Sequence, residues 1–245
     1  MKHLRLYAIS LLCLTAAICL QAQKDMRWSA NYGKSVAVFG GSFSIHKESD
    51  TAKDYWVRQL NLKLTNYGKG GAGFSNLTQS HNIQHEVDIA CSEDKPQYDI
   101  YLLWASTNDF TKANRYIGTP DDYTEADGYD TTKLNTQCGG INYCIKKIYA
   151  KNPKAKILFL TSTKCFRRPN SGTNPYYKGT YGMNSFVKAQ IACCNRWGIP
   201  YLDQFLGAPF NEYNKSVYIK KDNLHLTEEG YRMLMNMQAA FIATH

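Results

Sequence analysis

Five short apolar runs constrain this chain most: Val36 to Phe39, a weaker one at Leu64 to Tyr67, Ile100 to Trp104, Ile157 to Thr161, and Ile199 to Leu202. Consecutive apolar residues suit a strand buried on both faces, and such strands belong to parallel sheets covered by helices. The stretches between the runs carry helical periodicity. Val57, Leu60 and Leu64 share one face after Asp50, a candidate N-cap, and Ile141, Cys144, Ile145 and Ile148 share another, ended by Asn152-Pro153. Phe186, Ala189, Ile191 and Trp197 lie in a third segment closed by Gly198, and Leu234, Met237 and Phe241 in a last helix after Thr227. Glu228 and Glu229 in its first turn suit the positive end of the helix dipole. Strands alternating with helices indicate an α/β fold. No linker, composition shift or repeat divides residues 24–245, so one domain is expected.

The first 23 residues stand apart. MKHLR precedes the apolar run Leu6 to Leu20 and then Gln21-Ala22-Gln23. A basic start, an apolar stretch and a closing small residue make a secretory signal peptide, and the run falls short of the ~20 residues that span a bilayer. Ile18 before Cys19 argues against a lipoprotein. The protein is therefore expected to be secreted or periplasmic, with no stable membrane insertion after signal cleavage. Removing this segment takes the net charge from +9 to +7 (9 − 2, for Lys2 and Arg5) and the cysteines from eight to six. These six are Cys91, Cys138, Cys144, Cys165, Cys193 and Cys194, none with the C-x-x-C spacing of a zinc site. Disulfides and buried free thiols are equally consistent with them.

The basic residues gather at Lys146, Lys147, Lys151, Lys154 and Lys156, around a helix end, with shorter pairs at Arg167-Arg168 and Lys220-Lys221. No basic stripe is interleaved with aromatics, so nucleic acid is not an expected partner. The acidic segment Thr111 to Gln137 lacks calcium-loop spacing and is a solvated loop; its place after the middle strand predicts that it overhangs the carboxyl ends of the strands. His81 and His85 are spaced i, i+4 in an expected helix, but Asn82 stands where a zinc protease has Glu, and a solvent-facing pair is the simpler outcome. Trp104 and Tyr176-Tyr177 offer sugar-stacking rings, though burial is the commoner fate of such residues.

Four features carry chemistry. Val36-Ala37-Val38-Phe39 runs into Gly40-Gly41-Ser42, a turn that brings Ser42 out at the top of the sheet. Asn66-Tyr67-Gly68-Lys69-Gly70-Gly71-Ala72-Gly73 offers backbone N–H groups without the spacing or Lys-Ser/Thr ending of a phosphate loop. Ser106-Thr107-Asn108-Asp109 follows the strand ending at Trp104 and presents an amide. Asp222-Asn223-Leu224-His225 precedes the last helix; its carboxylate can orient the imidazole and leave the other ring nitrogen to take a proton. Ser44 competes with Ser42 as nucleophile, and the glycines before Ser42 favour the latter. His46 lacks an acidic partner at fixed spacing and falls to the rim.

In this order, from Ser35 to the C-terminus, the four features resemble the SGNH (GDSL-type) hydrolase family. The resemblance implies a flavodoxin-like three-layer α/β/α sandwich around a central five-stranded parallel sheet, with the site along its carboxyl edge. It implies Ser42, Asp222 and His225 as the catalytic residues of an esterase. The N–H groups of Ser42 and Gly71 and the Asn108 amide would form the oxyanion hole. It implies no metal and no cofactor. The expected substrate is a small-molecule or glycan acyl ester, with lipid or lysophospholipid esters as the alternative; oligomeric state is left open. Two departures stand out: Gly41 where the family has Asp, and Ser106 where it has Gly. They also leave open a catalytically inactive relative that only binds glycans.

Overall fold

The computed structural model describes residues 26–45, 56–76, 81–111, 116–166 and 182–245. The proposed signal segment, His46, Asp50, Arg167-Arg168 and Tyr176-Tyr177 lie outside the described residues. The five apolar runs become β1 (Ser35–Gly40), β2 (Lys63–Asn66), β3 (Ile100–Trp104), β4 (Lys156–Leu160) and β5 (Tyr201–Leu202). They form one sheet in the order β2-β1-β3-β4-β5, and every pairing is parallel. β1 leads outward to β2 on one side and β3 continues on the other, so the strand order reverses beside β1, where such folds bind ligands.

Among the described residues eight α-helices follow the strands or cap them: α1 (Ser42–Ile45), α2 (Ile83–Ala90), α3 (Asn108–Thr111), α4 (Gln137–Lys151), α5 (Met183–Trp197), α6 (Gln204–Gly207), α7 (Lys215–Tyr218) and α8 (Glu228–Thr244); residues 56–60 are helical as well. Alternate residues of the central strands feed two cores. Phe39, Tyr101, Leu103 and Phe159 pack with Ile83 and Val87 of α2, Ile141 and Ile145 of α4, and Phe186 of α5. On the other face Val36, Val38, Leu102 and Leu158 pack with Trp56, Leu60 and, from α8, Leu234, Met235 and Ile242. This is the expected three-layer α/β/α arrangement.

Some sequence expectations need correcting in detail. Leu64 does not continue the face of Val57 and Leu60, because Asn61 turns the chain into the left-handed region (φ 49°) and Leu64 enters β2. On α5 the buried face is Met183, Phe186, Val187, Gln190 and Cys193–Cys194, whereas Ala189 and Ile191 stay only partly buried. The helix expected around His81 and His85 starts at Ile83, capped by the Asn82 side chain, so His81 sits outside it; both histidines are exposed. All six cysteines are free thiols, and five are buried.

Residues 121–129 of the acidic segment run along the outside of α4 and α5, whereas Leu134 lies beside the end of the glycine-rich loop, its carbonyl accepting from Asn76 N–H (3.1 Å) and Gln84 Nε2 (2.8 Å). Asp121 and Glu125 both pair with Arg196 at the far end of α5, and Asn142 of α4 donates to the carbonyls of Pro120 and Asp122. Lys146 lies 3.4 Å from the Tyr129 ring centroid. Opposite charge and cation–π contact thus draw residues 121–129 down the outside of α4 and α5.

α8 begins as expected at Thr227, whose hydroxyl accepts from the Gly230 N–H (3.1 Å) and donates to the Val217 carbonyl (2.7 Å). Thr227→Ala should cost about 1 kcal/mol. A lower urea midpoint with an unchanged slope would record it; an unchanged midpoint would show the cap to be idle.

Candidate active site

β1 ends at Gly40, and the chain turns through Gly41 into α1, whose first residue is Ser42. Gly41 is required by close approach. A Cβ there would lie 2.7 Å from Ser106 Cβ, 2.8 Å from the Ala72 carbonyl oxygen and 2.8 Å from Asn108 Nδ2. The glycine-rich loop after β2 is laid against this turn by hydrogen bonds from Tyr67 N to the Val38 carbonyl (2.8 Å) and Lys69 N to the Gly40 carbonyl (2.9 Å). Gly71 in that loop has φ 77°, a conformation that glycine adopts at no steric cost.

The partner of Ser42 comes from the far end of the chain. Its Oγ is 2.9 Å from His225 Nε2 across a sequence separation of 183. His225 Nδ1 is 2.5 Å from Asp222 Oδ2. A carboxylate only accepts, so Nδ1 carries the hydrogen and Nε2 is left to accept from the Ser42 hydroxyl. The spacing works because Asp222 Oδ1 accepts from the backbone N–H groups of Leu224 and His225 (both 3.0 Å), while Asn223 takes φ 57°. Partial burial raises the Asp222 pKa, but the bonds from the His225 side chain and from both backbone N–H groups outweigh it. The carboxyl is held below its ordinary range. With a lowered pKa, the pairing is complete above the ordinary carboxylate pKa and is lost only as pH falls through the lower value.

The other candidate nucleophiles lie elsewhere. Ser44 is fully buried and its hydroxyl donates to the Gly41 carbonyl (2.8 Å). Burial pushes the Cys91 thiol up to about 11 and holds those of Cys144 and Cys194 above the usual range. The Cys138 thiol is raised first by its hydrogen bond to Cys193 and then by burial. Trp104 is buried in the core on the α8 side of the sheet rather than offered to a sugar.

Asn108, the first residue of α3, lies beneath Gly41 and is 8% exposed. Its Nδ2 donates to the Ala72 carbonyl (2.9 Å) and to Ser106 Oγ (2.9 Å). Ser106 Oγ in turn donates to the same Ala72 carbonyl (2.6 Å) and accepts from the Asn108 backbone N–H (3.2 Å). The five residues singled out from the sequence thus gather at the carboxyl ends of β1, β2 and β3 and the turn before α8.

Two contributors were missed. Asp109 is buried, and its carboxylate accepts from the N–H groups of Phe74 (2.7 Å) and Ser75 (3.2 Å), fixing the chain just beyond the glycine-rich loop. Its place directly after Asn108 was the available signal. The Ser106 carbonyl accepts from Ser162 Oγ (2.8 Å), which also accepts from Gln190 Nε2 (2.9 Å); Gln190 Nε2 donates further to Gln137 Oε1 (3.0 Å). No sequence signal marks a buried chain of this kind.

A model of the GDSL-like lipase/acylhydrolase family matches residues 37–233. Among solved structures, a protein from Lactobacillus plantarum is similar with a TM-score of 0.64 at 16% identity, over 85% of this chain and 95% of its own. A GDSL-like lipase from Bacteroides thetaiotaomicron VPI-5482 gives 0.55 at 16% identity, over 86% and 88%. The lipase/acylhydrolase from Enterococcus faecalis gives 0.54 at 16% identity, over 84% and 94%. At such identities the likeness concerns the fold. No curated protein matches the chain.

Proposed function

The chain belongs to the GDSL-like lipase/acylhydrolase family, and from that premise we propose that it is an exported serine esterase removing short acyl groups, acetyl first among them, from carbohydrate. Family membership supports an ester hydrolase. The observation that carries the serine mechanism is the continuous Ser42–His225–Asp222 hydrogen-bond chain.

In this mechanism His225 Nε2 takes the Ser42 proton as Oγ attacks the ester carbonyl, and Asp222 stabilises the imidazolium. The N–H groups of Ser42 and Gly71 and the Asn108 amide receive the oxyanion. The alcohol leaves with the proton from His225; water, activated by the same nitrogen, then releases the acid. Export and a carbohydrate substrate rest on the signal-like first 23 residues, since surface polysaccharide is an ester-bearing material that an exported enzyme meets.

Loss of one oxyanion donor typically costs about 100-fold or more in turnover. Asn108→Ala should therefore lower kcat on p-nitrophenyl acetate by that factor with KM little changed; full turnover would remove Asn108 from the site. The substrate is tested by comparing acetate release from acetylated sugar with fatty-acid release from lysophospholipid. Preference for the lysolipid would overturn the carbohydrate assignment and leave an acyl hydrolase of lipids.

A further inference from the structure

We infer that Ser162 and Gln190 are positioning residues for the oxyanion hole: together they fix the Ser106 carbonyl, and with it the turn that leads into Asn108. This rests on the serine-esterase mechanism proposed above. Ser162 lies two residues beyond β4, Gln190 on the buried face of α5, and Gln137 is the first residue of α4. All three are fully buried, so each polar atom among them must find its partner inside the protein.

The direction of the bonds follows from what each group can do. The Ser162 backbone N–H only donates, so it faces the Gln190 amide oxygen Oε1 (3.0 Å). That turns Gln190 Nε2 toward Ser162 Oγ (2.9 Å) and Gln137 Oε1 (3.0 Å). Gln137 is oriented in turn by its Nε2, which donates to the Phe186 carbonyl (2.9 Å). A hydroxyl has one hydrogen. With Ser162 Oγ accepting from Gln190, that hydrogen goes to the Ser106 carbonyl (2.8 Å), which only accepts. Gln190 thus grips Ser162 by both its N–H and its Oγ, and aims the hydroxyl at Ser106.

These side chains take over where the strands part. Ala105 N–H still bonds to the Leu160 carbonyl (2.9 Å), but the Ser162 N–H goes to Gln190 instead of to the neighbouring strand. On its other side the turn is tied to the glycine-rich loop, where Ser106 Oγ and Asn108 Nδ2 both donate to the Ala72 carbonyl. Those bonds set Asn108 relative to the loop. The bond from Ser162 sets it relative to the sheet, and Ser42 springs from the end of β1 in that same sheet. An oxyanion donor works only at the right distance from the carbon that the nucleophile attacks, so the sheet-side anchor bears on turnover. The charge that Asn108 meets develops after binding, so the effect falls on kcat rather than KM. A net hydrogen bond of ordinary strength corresponds to about a 3- to 10-fold change in rate.

The test measures kcat and KM for p-nitrophenyl acetate, together with thermal unfolding, in wild type, Ser162→Ala, Gln190→Met and Asn108→Ala, and in the double variant carrying Ser162→Ala with Asn108→Ala. The expected result is a fall in kcat of about 3- to 10-fold in Ser162→Ala and in Gln190→Met, with KM within about 2-fold of wild type and a lower Tm in both. In the Asn108→Ala background, Ser162→Ala should cost less than about 2-fold more, because the group it positions is already gone. Unchanged kcat in a folded single variant overturns the inference. So does a loss carried by KM, or a loss as large in the Asn108→Ala background as in wild type. Failure of both single variants to fold also overturns it, by making the buried chain a structural requirement alone. A wild type that hydrolyses no ester, or a fully active Ser42→Ala, overturns the mechanism instead.

Discussion

Ser42→Ala is expected to lower ester hydrolysis by at least about 10⁴-fold while leaving the fold intact. Ser42 is only partly buried, and removing its Oγ deletes one 2.9 Å hydrogen bond to His225 rather than any core packing. The residual rate would be what binding and the oxyanion donors supply without a nucleophile. Wild type should also be labelled by a fluorophosphonate on the peptide carrying Ser42, and Ser42→Ala should not be labelled at all. That second measurement separates an enzyme from an inactive glycan-binding relative, which would take no label. Labelling that persists in Ser42→Ala would move the nucleophile elsewhere. Ser44 is poorly placed to inherit it, since its hydroxyl is buried and donates to the carbonyl of Gly41, the residue just before α1.

Gly41→Asp, which installs the family's usual residue, is expected to damage this enzyme by about 100-fold or more in kcat/KM. The added Cβ would meet Ser106 Cβ at 2.7 Å, the Ala72 carbonyl at 2.8 Å and Asn108 Nδ2 at 2.8 Å, and two of these atoms are fixed to the backbone. Overpacking of this kind typically costs about 1–3 kcal/mol in stability. The larger effect falls on activity, because the displaced atoms hold the Asn108 amide. Adding Ser106→Gly to Gly41→Asp removes the nearest of the three contacts and should recover at least about 10-fold. The two departures from the family pattern are in this sense one exchange: a side chain given up at position 41 and gained at 106. Independent effects of the two substitutions, measured as a double-mutant cycle, would show that they are unrelated.

The sheet was legible because its central strands are covered on both faces, so Val36 to Phe39 and Ile100 to Trp104 stand out as unbroken apolar runs. β5 was legible only in part: two residues pair, and the apolar Ile199 before them lies in the turn after α5. The segment of α5 and its closure at Gly198 were legible, but its buried face was not, because polar Gln190 is among the buried residues, satisfied by Ser162 and Gln137, while apolar Ile191 is only partly buried. The meeting of Ser42 with His225 followed from the order of motifs, and the Asp222–His225 bond from their spacing. The bonds that set the Asn108 amide were not accessible in the same way. They converge on the carbonyl of Ala72, a backbone atom whose residue type carries no trace of the role.

The 183-residue separation between Ser42 and His225 also sets an order of events. On the proposed mechanism a ribosome delivers Ser42 well before Asp222 and His225, which follow it in the chain. Asp222 and His225 make their mutual bonds within one turn, so the pair can form as soon as it emerges, yet it meets Ser42 only once α8 has docked on the sheet. A partly synthesised or partly folded chain therefore holds an unactivated serine. With the serine mechanism proposed above, hydrolytic competence arrives when α8 docks, which would make the appearance of esterase activity a readout of completed folding.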